Sequence, residues 1–261
     1  MADYLHLERA DGVATLTIDR PHVRNAIPPG GWAALHRLFD EIAQDNTVRV
    51  MIITGAGEDF CSGADVSGDA DGAARDRTHP LDDMRTVGRA SQTLFSLPKP
   101  TIARIDGVAA GAGLNMALAC DFVLATDRSR FSEIFARRGL NIDFGGSFYL
   151  PRIVGMQRAK ELVMLADVID APRAYELGLV NRVVPQPELD SVVDDFVQKL
   201  LAGPPIALAT SKKLLNQSFT STLEEALDAE GIGQAYQFTT NDTSEAMTAF
   251  VEKRPPNFEG R

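Results

Sequence analysis

Apolar and polar residues alternate along the first part of the chain. The alternation runs through Tyr4–Glu8, stops at Asp11-Gly12 and resumes through Val13–Ile18. A period of two is typical of a half-buried strand, and an Asp-Gly pair between two such runs favours a tight turn. The pattern therefore predicts a β-hairpin at the start of the chain rather than a targeting segment.

Helix and strand patterns then alternate as far as residue 150. The predicted helices are Trp32–Gln44, Asp83–Leu97 and Ala110–Cys120. The predicted strands are Val48–Thr54, Thr101–Ile105 and Phe122–Ala125. Such alternation is typical of an α/β protein with parallel strands joined by right-handed crossovers.

Beyond residue 150 the pattern becomes a series of helices. The predicted helices are Val154–Met164, Ala171–Leu177, Leu189–Leu201, Ile206–Phe219 and Thr222–Phe238, with one short apolar run between them at Val180–Val184. We therefore expect an α/β core over residues 1–200 and a helical extension over residues 201–261.

The acidic composition narrows the classes of partner. The 261 residues carry a formal net charge of −10, and such a surface repels nucleic acid and anionic membranes at long range. No apolar run approaches the roughly 20 residues that a membrane span needs. Two cysteines and four scattered histidines favour free thiols in a reducing compartment and no metal site. We expect a cytoplasmic protein with no nucleic-acid or membrane partner.

Two Gly-rich turns are the first candidates for chemistry. Phe60–Asp65 follows a predicted buried strand, and Gly107–Gly113 opens a predicted helix. Glycine lets backbone N–H groups approach a ligand closely, and a helix start adds unpaired donors. Two such turns can aim two amides at one developing oxyanion. Close packing would explain the same glycines, and neither turn matches a dinucleotide or P-loop motif.

Five segments together carry a family resemblance. Arg20–Ala26 is similar to an RPxxxNA motif, Phe60–Asp65 to F-x-x-G-x-D, and Asp106–Gly113 to the oxyanion turn of the same family. Ala119–Asp121 matches its A-C-D segment, and Phe250–Arg254 its C-terminal F-x-E-K-R. On these motifs the chain is identified as a member of the crotonase superfamily, the enoyl-CoA hydratase/isomerase family.

The resemblance implies a fold, a substrate class and a set of site residues. The fold is a crotonase-type ββα spiral core with a C-terminal helical extension. The substrate is an acyl-CoA thioester with no further cofactor, and the oxyanion hole is formed by the backbone N–H groups of Ala64 and Ala112. Residues 68–89 are expected to line the acyl tunnel. The substrate-binding residues are Arg24, Ala26, Ser62, Asp65, Val66, Gly111, Asn115, Phe135, Phe250 and Lys253.

At the positions that carry acid–base groups in the family, this chain has different residues from a hydratase. Asn115 and Phe135 stand where the resemblance implies two hydratase glutamates. Hydration needs a water activated at Cβ and a proton delivered at Cα, which an amide and a phenyl ring do not supply. Asp143 lies at a third position, which carries the base of several family isomerases. The surrounding run is most similar to the phenylacetate-pathway ring-epoxide isomerase branch, so we expect Asp143 to be catalytic.

Three alternatives stay open at this point. They are hydration of an enoyl-CoA by other groups, acyl-CoA binding without turnover, and attack on a halogenated ring, although family dehalogenases carry tryptophan where this chain has Phe135. Glu133 is the other nearby carboxylate. It is expected on the opposite face of a strand from Phe135, with a structural role.

The C-terminal helices bear on assembly. Leu208, Leu214, Leu215, Leu223 and Leu227 give them apolar faces larger than one short core layer covers. Together with the resemblance, this predicts that residues 201–261 form a trimerisation region. We expect a homotrimer, or a hexamer that is a dimer of trimers.

Overall fold

The structure is a computed structural model that describes residues 2–66 and 79–261. Within these ranges the strands are β1 (Leu5–Ala10), β2 (Val13–Ile18), β3 (Val50–Gly55), β4 (Thr101–Ile105), β5 (Val108–Ala110), β6 (Phe122–Thr126), β7 (Arg130–Ser132), β8 (Ile169–Asp170) and β9 (Arg182–Val184). The helices are α1 (Gly31–Gln44), α2 (Pro80–Phe95), α3 (Ala112–Leu118), α4 (Gly146–Val154), α5 (Met156–Leu165), α6 (Ala171–Glu176), α7 (Leu189–Leu201), α8 (Pro205–Gln217), α9 (Leu223–Gln237) and α10 (Asn241–Glu252). Half of the segment predicted to line the acyl tunnel, residues 68–78, lies outside the described residues.

The main sheet has the strand order β1-β2-β3-β4-β6-β9. β1 and β2 form the predicted antiparallel hairpin, with Leu5 opposite Ile18 and Ala10 opposite Val13. Each later neighbour is parallel, as helical crossovers between strands require. The α/β class and the C-terminal helical region are both confirmed.

A second, three-stranded sheet of order β5-β7-β8 lies at the second Gly-rich turn. The prediction of one helix over Ala110–Cys120 was wrong at its start, because Val108–Ala110 pairs in parallel with Arg130–Ser132. Gly111 separates strand from helix with φ 54° and ψ −130°. That conformation is available to glycine and strained for other residues.

The main sheet is covered on both faces. Met51 and Ile53 of β3 point into the larger apolar core. Val50 and Ile52 point into a smaller one, which is completed by residues of α7. This two-sided burial explains why β3 is a continuous apolar run without alternation.

The last helices rest on the core through a few polar contacts. Lys212 Nζ of α8 donates to the Asp121 carboxylate at 2.7 Å and to the Lys99 carbonyl at 3.0 Å. Within the described chain, no residue of α8 or α9 is fully buried. Leu215 and Leu223 are exposed. Among the described residues, no helix is both long and apolar enough to cross a bilayer.

Candidate active site

One arginine fastens the Arg20–Ala26 segment to the first Gly-rich turn. Arg20 Nη1 donates to the carbonyl oxygen of Ala26 at 2.6 Å and to the carboxylate of Asp65 at 2.8 Å. The Arg20 and Asp65 side chains are both largely buried. Asp65, expected from the resemblance to lie near CoA, is thus bonded to Arg20, and the pair fixes the position of the turn.

Asn25 reinforces the same junction from the other side. It is fully buried, and its Nδ2 donates to the carbonyls of Ala56 at 2.9 Å and Asp59 at 2.6 Å. Its φ of 56° is left-handed, a conformation that asparagine tolerates better than most residues. Neither the hydrogen bonds of Asn25 nor the Arg20–Asp65 ion pair can be predicted from the sequence motifs alone.

The neighbouring predicted CoA residues lie at the rim of this junction. The Arg24 side chain is exposed, with Nε 3.9 Å from Asp59 Oδ2. The hydroxyl of Ser62 donates to the Val23 carbonyl at 3.2 Å, and the Ser62 N–H donates to the Arg24 carbonyl at 3.0 Å. Arg24 and Ser62 are therefore brought together, with the arginine facing solvent.

The two Gly-rich turns meet directly. Cys61 and Ala109 form a parallel β-bridge. A Cβ on Gly63 would lie 3.0 Å from the Ala110 oxygen and 3.3 Å from the Ala112 nitrogen, and Gly63 has a φ of 98°. This close approach requires glycine at position 63.

The two amides expected to form the oxyanion hole have no acceptor in the part of the chain that the structure describes. Ala64 lies one residue beyond Gly63, and Ala112 is the first residue of α3. Among the described residues, neither the Ala64 N–H nor the Ala112 N–H has a hydrogen-bond acceptor. The preceding amide, that of Gly111, is already used, because it donates to the Ser132 carbonyl at 2.9 Å.

Three polar side chains cluster beyond the second turn. Asn115 of α3 is fully buried, and its Nδ2 donates to the backbone carbonyl of Asp143 at 3.0 Å and to Glu133 Oε2 at 3.4 Å. Asn115 Oδ1, Glu133 Oε1 and Asp143 Oδ1 are buried and have no hydrogen-bond partner within residues 2–66 and 79–261. Buried polar atoms are seldom left unpaired, which marks this cluster as unusual.

The environment changes how both carboxyl groups ionise. Burial raises the pKa of Asp143 to about 6. The pKa of Glu133 is raised to about 8, chiefly by burial; the hydrogen bond from Asn115 acts against the rise, and the charge of Asp143 adds to it. A carboxyl group whose pKa lies near neutrality is suited to accept and return a proton.

The predicted position of Glu133 was wrong. β7 ends at Ser132, and Ile134–Arg138 forms a 3₁₀ helix rather than the continuation of a strand. The face alternation of a strand therefore does not apply. Glu133 is 1% exposed and points at Asn115.

Phe135 and Gly146 close the site around the carboxyl groups. Phe135 is buried, and its ring lies 3.6 Å from where a Cβ on Gly111 would be. A Cβ on Gly146 would lie 2.3 Å from Asn115 Nδ2, so the start of α4 packs directly on the carboxamide. Asn115, Phe135 and Asp143 are thus brought together beside the Gly111–Ala112 turn.

The remaining predicted binding residues stay apart from this centre. Val66 is exposed and directly precedes the residues that are not described. Phe250 and Lys253 lie at the end of α10, where both are exposed. No hydrogen bond or ion pair of the described residues joins either one to the Gly-rich turns. In residues 2–66 and 79–261 no cluster of His, Cys, Asp and Glu could hold a metal ion.

Comparison with known proteins supplies the family. The family model described as enoyl-CoA hydratase/isomerase matches residues 8–261. The 1,2-epoxyphenylacetyl-CoA isomerase of Escherichia coli strain K12 is 34% identical, over 98% of this chain and 97% of the relative. The short-chain-enoyl-CoA hydratase of Clostridium acetobutylicum is 34% identical, over 95% and 94%. The crystal structure of an enoyl-CoA hydratase from Bacillus anthracis superposes with a TM-score of 0.93 at 30% identity, over 99% of this chain and all of that one.

The fold and the junction of two Gly-rich turns define an acyl-CoA enzyme of the crotonase type. The chain belongs to the enoyl-CoA hydratase/isomerase family, which confirms the identification made from its motifs. The names of its relatives include both an isomerase and a hydratase. The particular reaction therefore has to be argued from the site.

Proposed function

We propose that the protein isomerises an enoyl-CoA type thioester, by a double-bond shift or a ring rearrangement, with Asp143 as the acid–base group. The observation that carries the proposal is the partly buried Asp143 carboxyl beside Asn115 and Phe135. At those two positions an amide and a phenyl ring replace the glutamates that the family resemblance implies for hydratases. A single carboxylate suffices for an isomerase, because the proton that it removes is the one that it returns.

For a 3-enoyl thioester we infer the following steps. The N–H groups of Ala64 and Ala112 hold the thioester oxygen. Asp143 takes a proton from Cα, the electron pair moves into the thioester to give an enolate, and the protonated Asp143 returns the proton at Cγ as the double bond moves between Cα and Cβ. Each amide would stabilise the enolate by about 3–4 kcal/mol, as in other oxyanion holes. Phe135 keeps water from the reacting carbons.

Recognition of CoA is assigned to the rim of the site. The exposed Arg24 guanidinium, beside Ser62, offers a cation to the CoA phosphates. Ala26, Gly111 and Val66 contribute backbone and apolar contacts. Phe250 and Lys253 would meet CoA across a subunit boundary, because no hydrogen bond or ion pair among the described residues of one chain joins them to the Gly-rich turns.

One observation favours a second candidate, hydration of a 2-enoyl-CoA. Glu133 supplies another carboxyl near Asp143, and Asn115 donates to the Glu133 carboxyl and to the backbone carbonyl of Asp143. Hydration adds OH at Cβ and H at Cα, and two carboxyl groups can divide that work between them. The isomerase reaction is preferred because Phe135 occupies the site of one hydratase glutamate with an apolar ring.

A panel of substrates and one substitution test the proposal. The purified protein is offered 2-enoyl-, 3-enoyl- and aromatic-epoxide CoA thioesters, and products are identified by mass and absorbance. We expect the double bond or the ring to shift without a gain of mass. Rapid hydration of crotonyl-CoA with no isomerisation would contradict the proposal.

Asp143→Asn keeps the shape of the side chain but cannot accept a proton. We expect isomerisation to fall ~10²–10⁴-fold, while CoA-thioester affinity changes little. Asp194→Asn, on the exposed side of α7, is the matched control and should keep its activity. Full activity in Asp143→Asn would show that Asp143 is not the base.

A further inference from the structure

A second buried carboxyl lies beside the proposed base and has no part in the reaction described above. Glu133 is 1% exposed, and its one polar contact among the described residues is the 3.4 Å hydrogen bond from Asn115 to Oε2. Its other oxygen, Oε1, is buried and unpartnered, as is Oδ1 of Asp143. Glutamate is almost never fully buried unless it is paired, so the position calls for a function.

Asn115 cannot neutralise both carboxyl groups. Its two Nδ2 hydrogens are committed, one to Glu133 Oε2 and one to the backbone oxygen of Asp143. A neutral amide offsets only part of the cost of a buried negative charge. Two carboxylates in one dry site repel each other, so that the second ionises with difficulty.

We propose that Glu133 is a positioning residue that shares one negative charge with Asp143: Glu133 holds the proton while Asp143 acts as the base. The inference rests on the proposed function, in which Asp143 is the acid–base group. A neutral Glu133 adds no second negative charge to the site and still accepts the hydrogen bond from Asn115. The charge then stays on the less buried carboxyl, the one that meets the substrate.

The order of ionisation agrees with this assignment. The pKa of Asp143 is raised by burial to about 6, and that of Glu133 to about 8 by burial and by the charge of Asp143. Between these values Asp143 is a carboxylate and Glu133 a neutral acid. Above pH 8 Glu133 is ionised as well. Its negative charge then faces the enolate, and the reaction should slow.

Other charged groups do not account for the order in which Asp143 and Glu133 ionise. α3 carries no charged residue. On the neighbouring elements, Arg137 is ion-paired with Asp167 and the Arg152 guanidinium stacks on Phe148. The other charged groups on these elements are exposed, namely Arg130, Arg138, Arg158, Lys160, Glu161 and Asp170. Tyr149 is hydrogen-bonded to Ser91 at 2.7 Å.

An infrared titration tests the shared charge without any need for activity. The C=O stretching band of a protonated carboxylic acid is followed from pH 5 to pH 10 in the whole protein and in its variants. We expect a band at pH 7 that disappears with a midpoint near pH 8 and is missing in Glu133→Gln. In Asp143→Asn the midpoint should move to lower pH, because the repelling charge is gone. Absence of the band, or the same midpoint in Asp143→Asn, would overturn the proposal.

Kinetics give the functional test. The pH profile of kcat/KM should be a bell with limbs near pH 6 and pH 8, falling about tenfold per pH unit beyond each. Glu133→Gln should keep the acid limb and lose the alkaline one. A Glu133→Gln enzyme with both limbs intact, or one that binds substrate but turns over at no pH, would refute the positioning role. If the wild-type protein isomerises none of the substrates, the proposed function fails. The infrared titration still tests whether Glu133 and Asp143 share one negative charge.

Discussion

Removing the buried carboxyl of Glu133 should stabilise the protein at neutral and alkaline pH. The substitution Glu133→Gln keeps the length of the side chain and its contact with Asn115, but it removes the ionisable group. In the unfolded chain Glu133 ionises at its ordinary pKa of 4.5, whereas in the folded chain burial raises the pKa to about 8. The folded protein therefore binds this proton more tightly than the unfolded chain does.

The sign and size of the effect follow from that difference. A raised pKa gives stability that is fully present below pH 4.5 and is lost as the pH rises through 8. Each pKa unit corresponds to about 1.4 kcal/mol, so a rise of three to four units amounts to about 5 kcal/mol. Relative to wild type, the free energy of unfolding of Glu133→Gln should therefore increase by about that amount between pH 4.5 and pH 8.

Denaturant unfolding at several pH values, at one fixed protein concentration, measures this difference. The control is Glu161→Gln on the exposed surface of α5, whose stability should follow the wild-type curve at every pH. If the Glu133→Gln and wild-type curves also run parallel, Glu133 ionises alike in the folded and unfolded chains. The reasoning from its burial would then be refuted.

Two further predictions concern binding and assembly. Lys253→Ala should weaken CoA-thioester binding by roughly 10- to 150-fold, the cost of one charge-assisted phosphate contact. Calorimetry measures the affinity, with Lys213→Ala on α8 as the control. Unchanged affinity in Lys253→Ala would remove Lys253 from the site. Light scattering at micromolar concentration should give the mass of a trimer or hexamer, because apolar side chains such as Leu215 and Leu223 are exposed in a single chain. The mass of a monomer would contradict the predicted assembly.

The elements that could be predicted are those long enough to display a period. β1, β2 and α1 each repeat their pattern over six or more residues, and each was recognised. β5 and β7 contain three residues each, which is too short for alternation to be visible. They form because the chain returns to the second Gly-rich turn, a long-range event that no local pattern encodes.

Helix α4 was missed for a different reason. Its start, Gly145-Gly146, and its internal Pro151 are residues that usually signal turns, so the pattern predicts no helix there. Gly146 is instead required because the helix begins against the Asn115 carboxamide. The glycine therefore reports a close approach between two elements rather than a break in the chain.

Residue patterns alone predict the candidate site only where the backbone builds it, whereas Asn115, Phe135 and Asp143 were named through the family resemblance. The two turns that present Ala64 and Ala112 are visible in the sequence, because glycines mark them. The bond between Arg20 and Asp65 spans 45 positions, and that between Asn115 and Glu133 spans 18. Such pairs depend on how the strands bring distant side chains together, so their partners cannot be chosen from the sequence alone.

Asn115 explains why a carboxyl at position 133 is tolerated. In a hydratase the family resemblance implies a glutamate at position 115, and such a group would add a third carboxyl to the site that Glu133 and Asp143 already occupy. Like charges at this range disfavour ionisation of one another. The carboxamide of Asn115 adds no charge and donates one hydrogen bond to the Glu133 carboxyl and one to the backbone carbonyl of Asp143. Relative to the hydratase pattern that the resemblance implies, carboxyl groups are absent at positions 115 and 135, and this chain has Glu133 at the entrance of the 3₁₀ helix and Asp143 instead. Burial raises the pKa of Glu133, so in the proposed mechanism Asp143 carries the charge to the substrate, as a one-base isomerase requires.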